Sequence, residues 1–592
     1  MHACCDRLTR SRFLGGLGAA FTLAGCSSGS NAVMPLVPSS EVTVLTNGNI
    51  ITLGTPMRAG AVAIRGGRIL ATAASAGTLE KKYPGAHLYD LGGATLAPGF
   101  IEAHAHISQT LLDLVSANLS DVRTLDELHA RLTNLVASPN GRHGWVYAQG
   151  VDESLLHPHF RPPTLGFLDS ISTTNPIFIE DSTGHLYYVN TAALDFVRRH
   201  THGAVGPGTT FPGGGLIGDD GNGVKGIIYE FATGPYLKYV KDPTQQELQN
   251  TIYALLKKAQ RNGITTWHDP AAGLFSGHVA DDLNGIYEPL AANPQTPVRV
   301  MSSLILTDTA QNSPQLFSHS RSHPGDGFFY GSSGALWVPA LKIWVDGTPQ
   351  GETANVTEPY LSHPPTTGFS NGRLDWRQHE LEHWLKLAHG HGWSVLMHTN
   401  GDAAIDVALE AVKHAYGPKV PDGFRVRFEH LTISRSDQLD TMRSMGITPT
   451  FLNNHTYIWG DAFAQRIIGP ARAARLDAAG DCVRRNMMFS FHCDYGVSQP
   501  EPLRYMQTAV TRKTRSGTTI GYDQRISPLE ALKGCTIYPA TQLGFADRIG
   551  SIEAGKDADF VELAHDPLTT APESIAGIPV LATWRQGARI SA

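Results

Sequence analysis

Cysteine is scarce in this chain: six in 592 residues, and three of those (Cys4, Cys5 and Cys26) fall within the first 26. The remaining Cys482, Cys493 and Cys535 form a small, odd set, which argues against a disulfide framework even in an oxidising compartment. A strong excess of one charge is also missing. The formal net charge of -6 gives no electrostatic reason to expect nucleic acid as a partner. There is no internal repeat, and no low-complexity segment beyond one short tether. What is present is the composition of a soluble globular protein, with 41% hydrophobic and 17% charged residues. The length exceeds one ordinary core, so two or more units, or one large barrel, are expected.

The first 26 residues stand apart. Arg7, Arg10 and Arg12 precede the apolar stretch "FLGGLGAAFTLAG", which is too short to span a bilayer and ends at Cys26. "LAGC" (residues 23–26) resembles the lipobox of bacterial lipoproteins, which implies lipidation of Cys26 and removal of what precedes it. "TRSRFLG" resembles a twin-arginine export signal, except that Ser11 stands where the second arginine belongs. The expectation is an exported protein anchored by lipid in the bacterial cell envelope, with residues 27–40 as a flexible tether.

Residues 41–97 read as short strands and turns, with Asn47-Gly48 and Gly66-Gly67 as hairpin signals. Residues 546–592 repeat this style, so both chain ends belong to one small β unit. Between them, over 98–545, apolar runs alternate with helical segments, the pattern of a parallel sheet. Thr244 with Glu247 makes a capping box before "LQNTIYALLKKAQ", and Asn262-Gly263 closes that helix. Eight runs read as strands: "GFIEAHAH", "ITTWHD", "VRVMSSLIL", "ALKIWVD", "SVLMH", "VRFEH", "ITPTFL" and "MFSFHCD". That is the count that closes a (β/α)8 barrel of the TIM type. Residues 110–260 are then an insertion, with a second capping box at Thr124 and Glu127 and a strand at "PIFIED". Assigning "PIFIED" to the barrel would make nine.

His104 and His106 are two apart at the end of the first strand, so both face one way, at the barrel end that carries sites. Two imidazoles so placed can take adjacent positions on one metal ion. Other apolar strands end in His398, His430 and Asp494. Lys342 interrupts "ALKIWVD", where an uncompensated ammonium is costly. It is either paired with Asp346 or kept neutral, able to take up carbon dioxide as a bridging carbamate.

This set resembles the binuclear metal site of the amidohydrolase superfamily. "HTNGDAAIDVAL", "KIWVDGTPQGETA", "GHLYYVNTAAL" and "GSIEAGKDADFVEL" are similar to the branch that includes N-substituted formamide deformylases, from about residue 41 to the C-terminus. The resemblance implies a barrel with a β-sandwich made from both chain ends. It implies one ion on His104, His106 and Asp494, a second on His398 and His430, and carboxylated Lys342 between them. Imidazole and carboxylate donors suit zinc best. A hydroxide shared by the ions would attack a carbonyl, with Asp494 passing the proton to the leaving nitrogen. His492-Cys493 departs from the Gly-Ser common before the last aspartate, and either retunes the metal or packs. His185 and Asn190 in the insertion, and Asn454 and His455 after the seventh strand, are candidate substrate contacts.

The expected activity is metal-dependent cleavage of an amide C–N bond in a small N-acyl or N-formyl amine. A lactonase, esterase or phosphotriesterase on the same ions is the alternative, and a non-catalytic binding lipoprotein is the third reading. A homo-oligomer is left open.

Overall fold

The computed structural model describes residues 40–591 apart from 275, 307–322 and 363–365. The expected export segment and tether, with Cys26, lie outside the described residues.

Eight parallel strands form the centre: β1 (Phe100–Glu102), β2 (Ile264–Ala272), β3 (Arg299–Ile305), β4 (Leu341–Trp344), β5 (Val395–Thr399), β6 (Val426–His430), β7 (Thr448–Phe451) and β8 (Ser490–Phe491). They neighbour one another in chain order. Strand alternation explains the mixed sequences of these strands. Val426 and Phe428 pack in the apolar core, while Arg427 and Glu429 take the opposite face and are also fully buried. Lys342 and His268 are buried polar groups of the same sheet. Among the described residues β8 and β1 share no ladder. Two hydrogen bonds bridge that seam instead. Asp494 N–H donates to His104 O at 3.0 Å, and Cys493 N–H to Glu102 Oε1 at 3.0 Å.

The chain ends meet in one eight-stranded sheet around Leu45, Val62, Leu96, Phe560 and Trp584. Thr95–Pro98 from the N-terminal part pairs antiparallel with Phe560–Leu563 from the C-terminal part. Gly66 and Gly67, both at positive φ, make the hairpin turn as expected. Asn47-Gly48 does not. It lies inside the strand Thr43–Ile51 as an irregularity in the ladder. Asn47 donates to Asp90 and its carbonyl accepts from Gly93 N–H, so outside partners replace a hairpin's own bonds.

The insertion has its own six-stranded sheet, and Ile177–Asp181 ("IFIED") belongs to it, which leaves the barrel with eight strands. The capping box at Thr244 and Glu247 is complete. At the other, Thr124 accepts from Glu127 N–H, but the Glu127 carboxylate turns back one residue further, to Arg123 N–H. Half of that box is therefore absent.

Candidate metal centre

The strand ends place the site. His104 and His106 follow β1, and Asp494 follows β8 across the seam. Regular alternation would send Glu429 and His430 to opposite faces. The backbone breaks that rule, with φ of +67° at His430 and +45° at Leu431. Both Glu429 and His430 consequently reach the barrel mouth. Asp494 has φ of +51°. Non-glycine residues in this region cost about 1–3 kcal/mol each, and such strain clusters at functional sites.

Asp494 is the hub. Its Oδ1 lies 3.2 Å from His106 Nε2 and 3.5 Å from His104 Nε2, and its Oδ2 lies 3.7 Å from His430 Nδ1. One ligand atom from each of His104, His106 and Asp494 falls within 4.8 Å of the others. The His430 ring stands 4.8 Å from that of His104 and 4.4 Å from that of His398. His398 Nε2 faces Gly347 O at 3.1 Å and Asn400 Nδ2 at 2.9 Å, so Nδ1 is its open nitrogen.

Carboxylates behind the rings set their tautomers. Glu429 Oε2 contacts His104 Nδ1, and Asp269 Oδ1 stands 3.4 Å from His106 Nδ1. With a cation bound, a proton on each Nδ1 would leave each Nε2 lone pair for the ion. Asp269 is itself fixed by Ile107 N–H and Tyr287 O–H, both at 2.7 Å. Glu429 is gripped by Arg427 through Nε at 2.5 Å and Nη2 at 2.9 Å. The sequence reading missed Asp269, Glu429 and Arg427. A signal existed, since "ITTWHD" ends in a carboxylate as other site strands do, and "RFE" puts opposite charges two apart on one strand face.

The residues fit a cation on a direct observation. His104 Nε2, His430 Nε2, Asp494 Oδ1 and Lys342 Nζ are buried and have no hydrogen-bond partner. Each such group costs about 1–3 kcal/mol if left so. Cations among them would satisfy imidazole nitrogens and carboxylate oxygen together. Burial holds His104, His398 and His430 well below the usual histidine range, so their lone pairs are free. Burial would also lower His106, but Asp269 and Asp494 overcome it and raise it to about 9. Asp494 stays below the ordinary carboxylate range: burial opposes this, and His106 outweighs it.

Lys342 is fully buried, and burial lowers its amine to about 8. Asp346 is not its partner. That carboxylate accepts from the backbone N–H groups of Asn355, Asn400 and Gly401 at 2.8–3.0 Å.

His492 is also fully buried, stacked on His104 at 4.8 Å and 23°, with neither nitrogen hydrogen-bonded. Cys493 is different. Burial, with Glu102 nearby, pushes its thiol well above the usual range, so it remains protonated.

The four candidate substrate contacts part ways. His185 lines a cavity of about 870 Å³ that also takes in His104, His106, His398, His430 and Asp494. Its ring lies 4.9 Å from His398, and its Nδ1 pairs with Glu230 at 2.7 Å. Asn190 does not reach the cavity. Its Oδ1 accepts from Ala193 and Ile177 N–H, and its Nδ2 donates to Ser172 O and Asn175 O, which caps the helix Thr191–His200. Asn454 and His455 lie outside the lining as well. Asn454 Nδ2 reaches Ser498 Oγ at 3.3 Å, while His455 lies 3.4 Å from Asp477 and packs on Trp459. Asn190 and His455 are occupied within the fold, and Asn454 is so through Nδ2, its Oδ1 being buried without a partner.

The sequence pattern of the amidohydrolase family (Amidohydro_3) matches residues 87–590. The chain is 26% identical over 548 residues to N-substituted formamide deformylase of Arthrobacter pascens, covering 89% of this chain and 94% of that one. It is 23% identical over 556 residues to protein LONG AFTER FAR-RED 3 of Arabidopsis thaliana, covering 92% and 91%. The crystal structure of a metal-dependent hydrolase from Pyrococcus furiosus superposes with a TM-score of 0.63 at 23% identity, covering 89% of this chain and all of that one. The chain belongs to the amidohydrolase family and is a metal-dependent hydrolase.

Proposed function

We propose that this protein hydrolyses the C–N bond of a small amide, an N-acyl or N-formyl amine, at two divalent cations. His104, His106 and Asp494 would hold one, His398 and His430 the other, and Lys342, once carboxylated, would supply further oxygen donors. Zinc suits this donor set best. The observation that carries the reading is the convergence of these donors, several buried and unpartnered, at the mouth of one large cavity. The deformylase relative supports an amide as the bond class.

When bound, such a pair of cations supplies an acidified water and polarises a carbonyl oxygen. The chain's own groups do the rest. Asp494, at the meeting point of the rings, takes up a proton and returns it to the leaving nitrogen. His185, which Glu230 keeps protonated near neutral pH against burial, offers an N–H to the substrate from the cavity wall. Glu429 and Asp269 hold two of the imidazoles in register. The test joins elemental analysis with a substrate panel. About two ions per chain, turnover of N-acyl or N-formyl amines, and its loss to a chelator are expected. Turnover confined to lactones or phosphotriesters would move the assignment to those bonds, and a metal-free active protein would end it.

The same reading places the enzyme in the cell envelope through a lipid on Cys26, which the sequence of residues 7–26 supports. Labelling with radioactive palmitate in a bacterial host should mark the full chain and be lost in Cys26→Ala. Label retained in that variant refutes the anchor.

A further inference from the structure

The cavity wall carries five carboxylates besides Asp494: Asp113, Asp152, Glu180, Asp181 and Glu230. Four are engaged. Asp113 accepts from Gln149 Nε2 and Tyr495 O–H, each at 2.9 Å. Asp152 accepts from Trp459 Nε1 and Ser154, and Asp181 from Thr183 Oγ1 and Gly184 N–H. Glu230 pairs with His185.

Glu180 is the exception. It is 5% exposed, faces the cavity, and among the described residues its carboxylate makes no hydrogen bond and no ion pair. Its surroundings explain why that is costly. Burial, then the charges of Asp181 and Asp113, push its carboxyl up to about 8, and only His185 acts the other way. Among the described residues neither arginine of the wall, Arg123 or Arg515, is paired with it. Arg123 donates to Ser120 O and Val122 O at 2.8 Å, and the Arg515 guanidinium lies over Tyr457 at 5.6 Å. An anionic ligand would meet carboxylates here. A neutral one would gain no more than an ordinary hydrogen bond from it. A cation lets it ionise and gives it a charge-assisted partner, with Asp113 and Asp181 adding to the attraction.

We infer that the substrate carries a protonated amine, separate from the scissile amide nitrogen, that seats against Glu180. This rests on the amide-hydrolase reading above, and it names the substrate class.

The test uses the metal-loaded full chain with two amides of matched length, N-formyl-1,4-diaminobutane and N-formylpentylamine. Calorimetry with 1,4-diaminobutane runs alongside. The wild type should favour the charged amide by about tenfold or more in kcat/KM, the scale of one charge-assisted contact. Glu180→Gln, nearly the same shape, should erase most of that preference and weaken diamine binding in parallel. Glu180→Asp should restore part of both. A neutral preference in the wild type, or a ratio unmoved by Glu180→Gln in a variant with an unchanged melting curve, overturns the inference. The two readings fail separately. Diamine bound through Glu180 with neither amide cleaved keeps this site and removes the amide-hydrolase reading. The neutral amide cleaved with no diamine bound does the reverse.

Discussion

Replacing Glu429 by glutamine should damage the protein in two ways that can be measured apart. The carboxylate is fully buried, receives Arg427 through Nε at 2.5 Å and Nη2 at 2.9 Å, and contacts His104 Nδ1. Arg427 is 1% exposed, and its other recorded bond is from Nη2 to Ala103 O at 3.1 Å. Glutamine removes the charge and leaves the guanidinium without its buried partner, a loss of about 3–5 kcal/mol. With unfolding entropy near 2 cal/mol/K per residue, a chain of this size should melt roughly 3–4 °C lower. The second effect is on the ring. Loss of a carboxylate behind a ligating histidine typically costs about 10–100-fold in metal affinity. The double variant Arg427→Met, Glu429→Gln should recover most of the melting temperature, since neither charge remains buried alone, but not the affinity. Calorimetric scanning reads the first quantity and competition with a chromophoric chelator the second. If Glu429→Gln binds metal as the wild type does, Glu429 does not orient His104, and the argument from carboxylate to ring to ion is wrong.

Four other outcomes are expected. Lys342→Ala should lose at least one ion per chain by elemental analysis and about 100-fold or more in kcat, the scale of removing a major electrostatic contribution; unchanged metal content would exclude a bridging role. Dialysis against a chelator should abolish turnover and lower the melting temperature, because ions held at 1,000 times their Kd stabilise the folded state by about 4 kcal/mol; zinc should restore both, and a melting curve unmoved by chelator would argue against metal binding. Asn190→Ala should destabilise by about 2–4 kcal/mol through the lost cap and orphaned partners, with KM unchanged; a raised KM with normal stability would return Asn190 to the list of substrate contacts. Gly401→Ala should disturb the loop after β5, since its Cβ would fall 1.9 Å from Asn355 O; a variant with full metal content and wild-type melting would show that this contact relaxes easily.

Much of the site was legible because a strand has a period of two and a barrel gathers its strand ends. Those rules alone brought His104, His106, His398, His430 and Asp494 to one mouth, with Lys342 buried in the sheet between them. What escaped the sequence reading left only faint local traces and depends on geometry between residues distant in the chain. Glu429 and His430 are adjacent, and only the positive φ at His430 lets both turn inward. Asp269 was hidden in a strand read only for its apolar residues, since its role comes from standing behind a ring 163 positions away. Asn190 illustrates the opposite error. A motif shared with relatives suggested a substrate contact, whereas Asn190 behaves as asparagine commonly does before a helix, as a cap. Asn47-Gly48 carries a hairpin signature, yet Asp90 and Gly93 decide its shape from forty residues on.

The pairing of Thr95–Pro98 with Phe560–Leu563 has a bearing on biosynthesis. The strand that leads to His104 and His106 begins at Phe100, two residues past that pairing, and Gly99 N–H donates to Asp559 O at 2.9 Å. The earliest donors to leave the ribosome are thus anchored by some of the latest residues to follow. A nascent chain therefore has no finished cage until Phe560–Leu563 has been made, and ribosome-bound intermediates that lack it should capture little metal. A premature stop shortly before codon 559 would impair ion binding even though every donor had already been made.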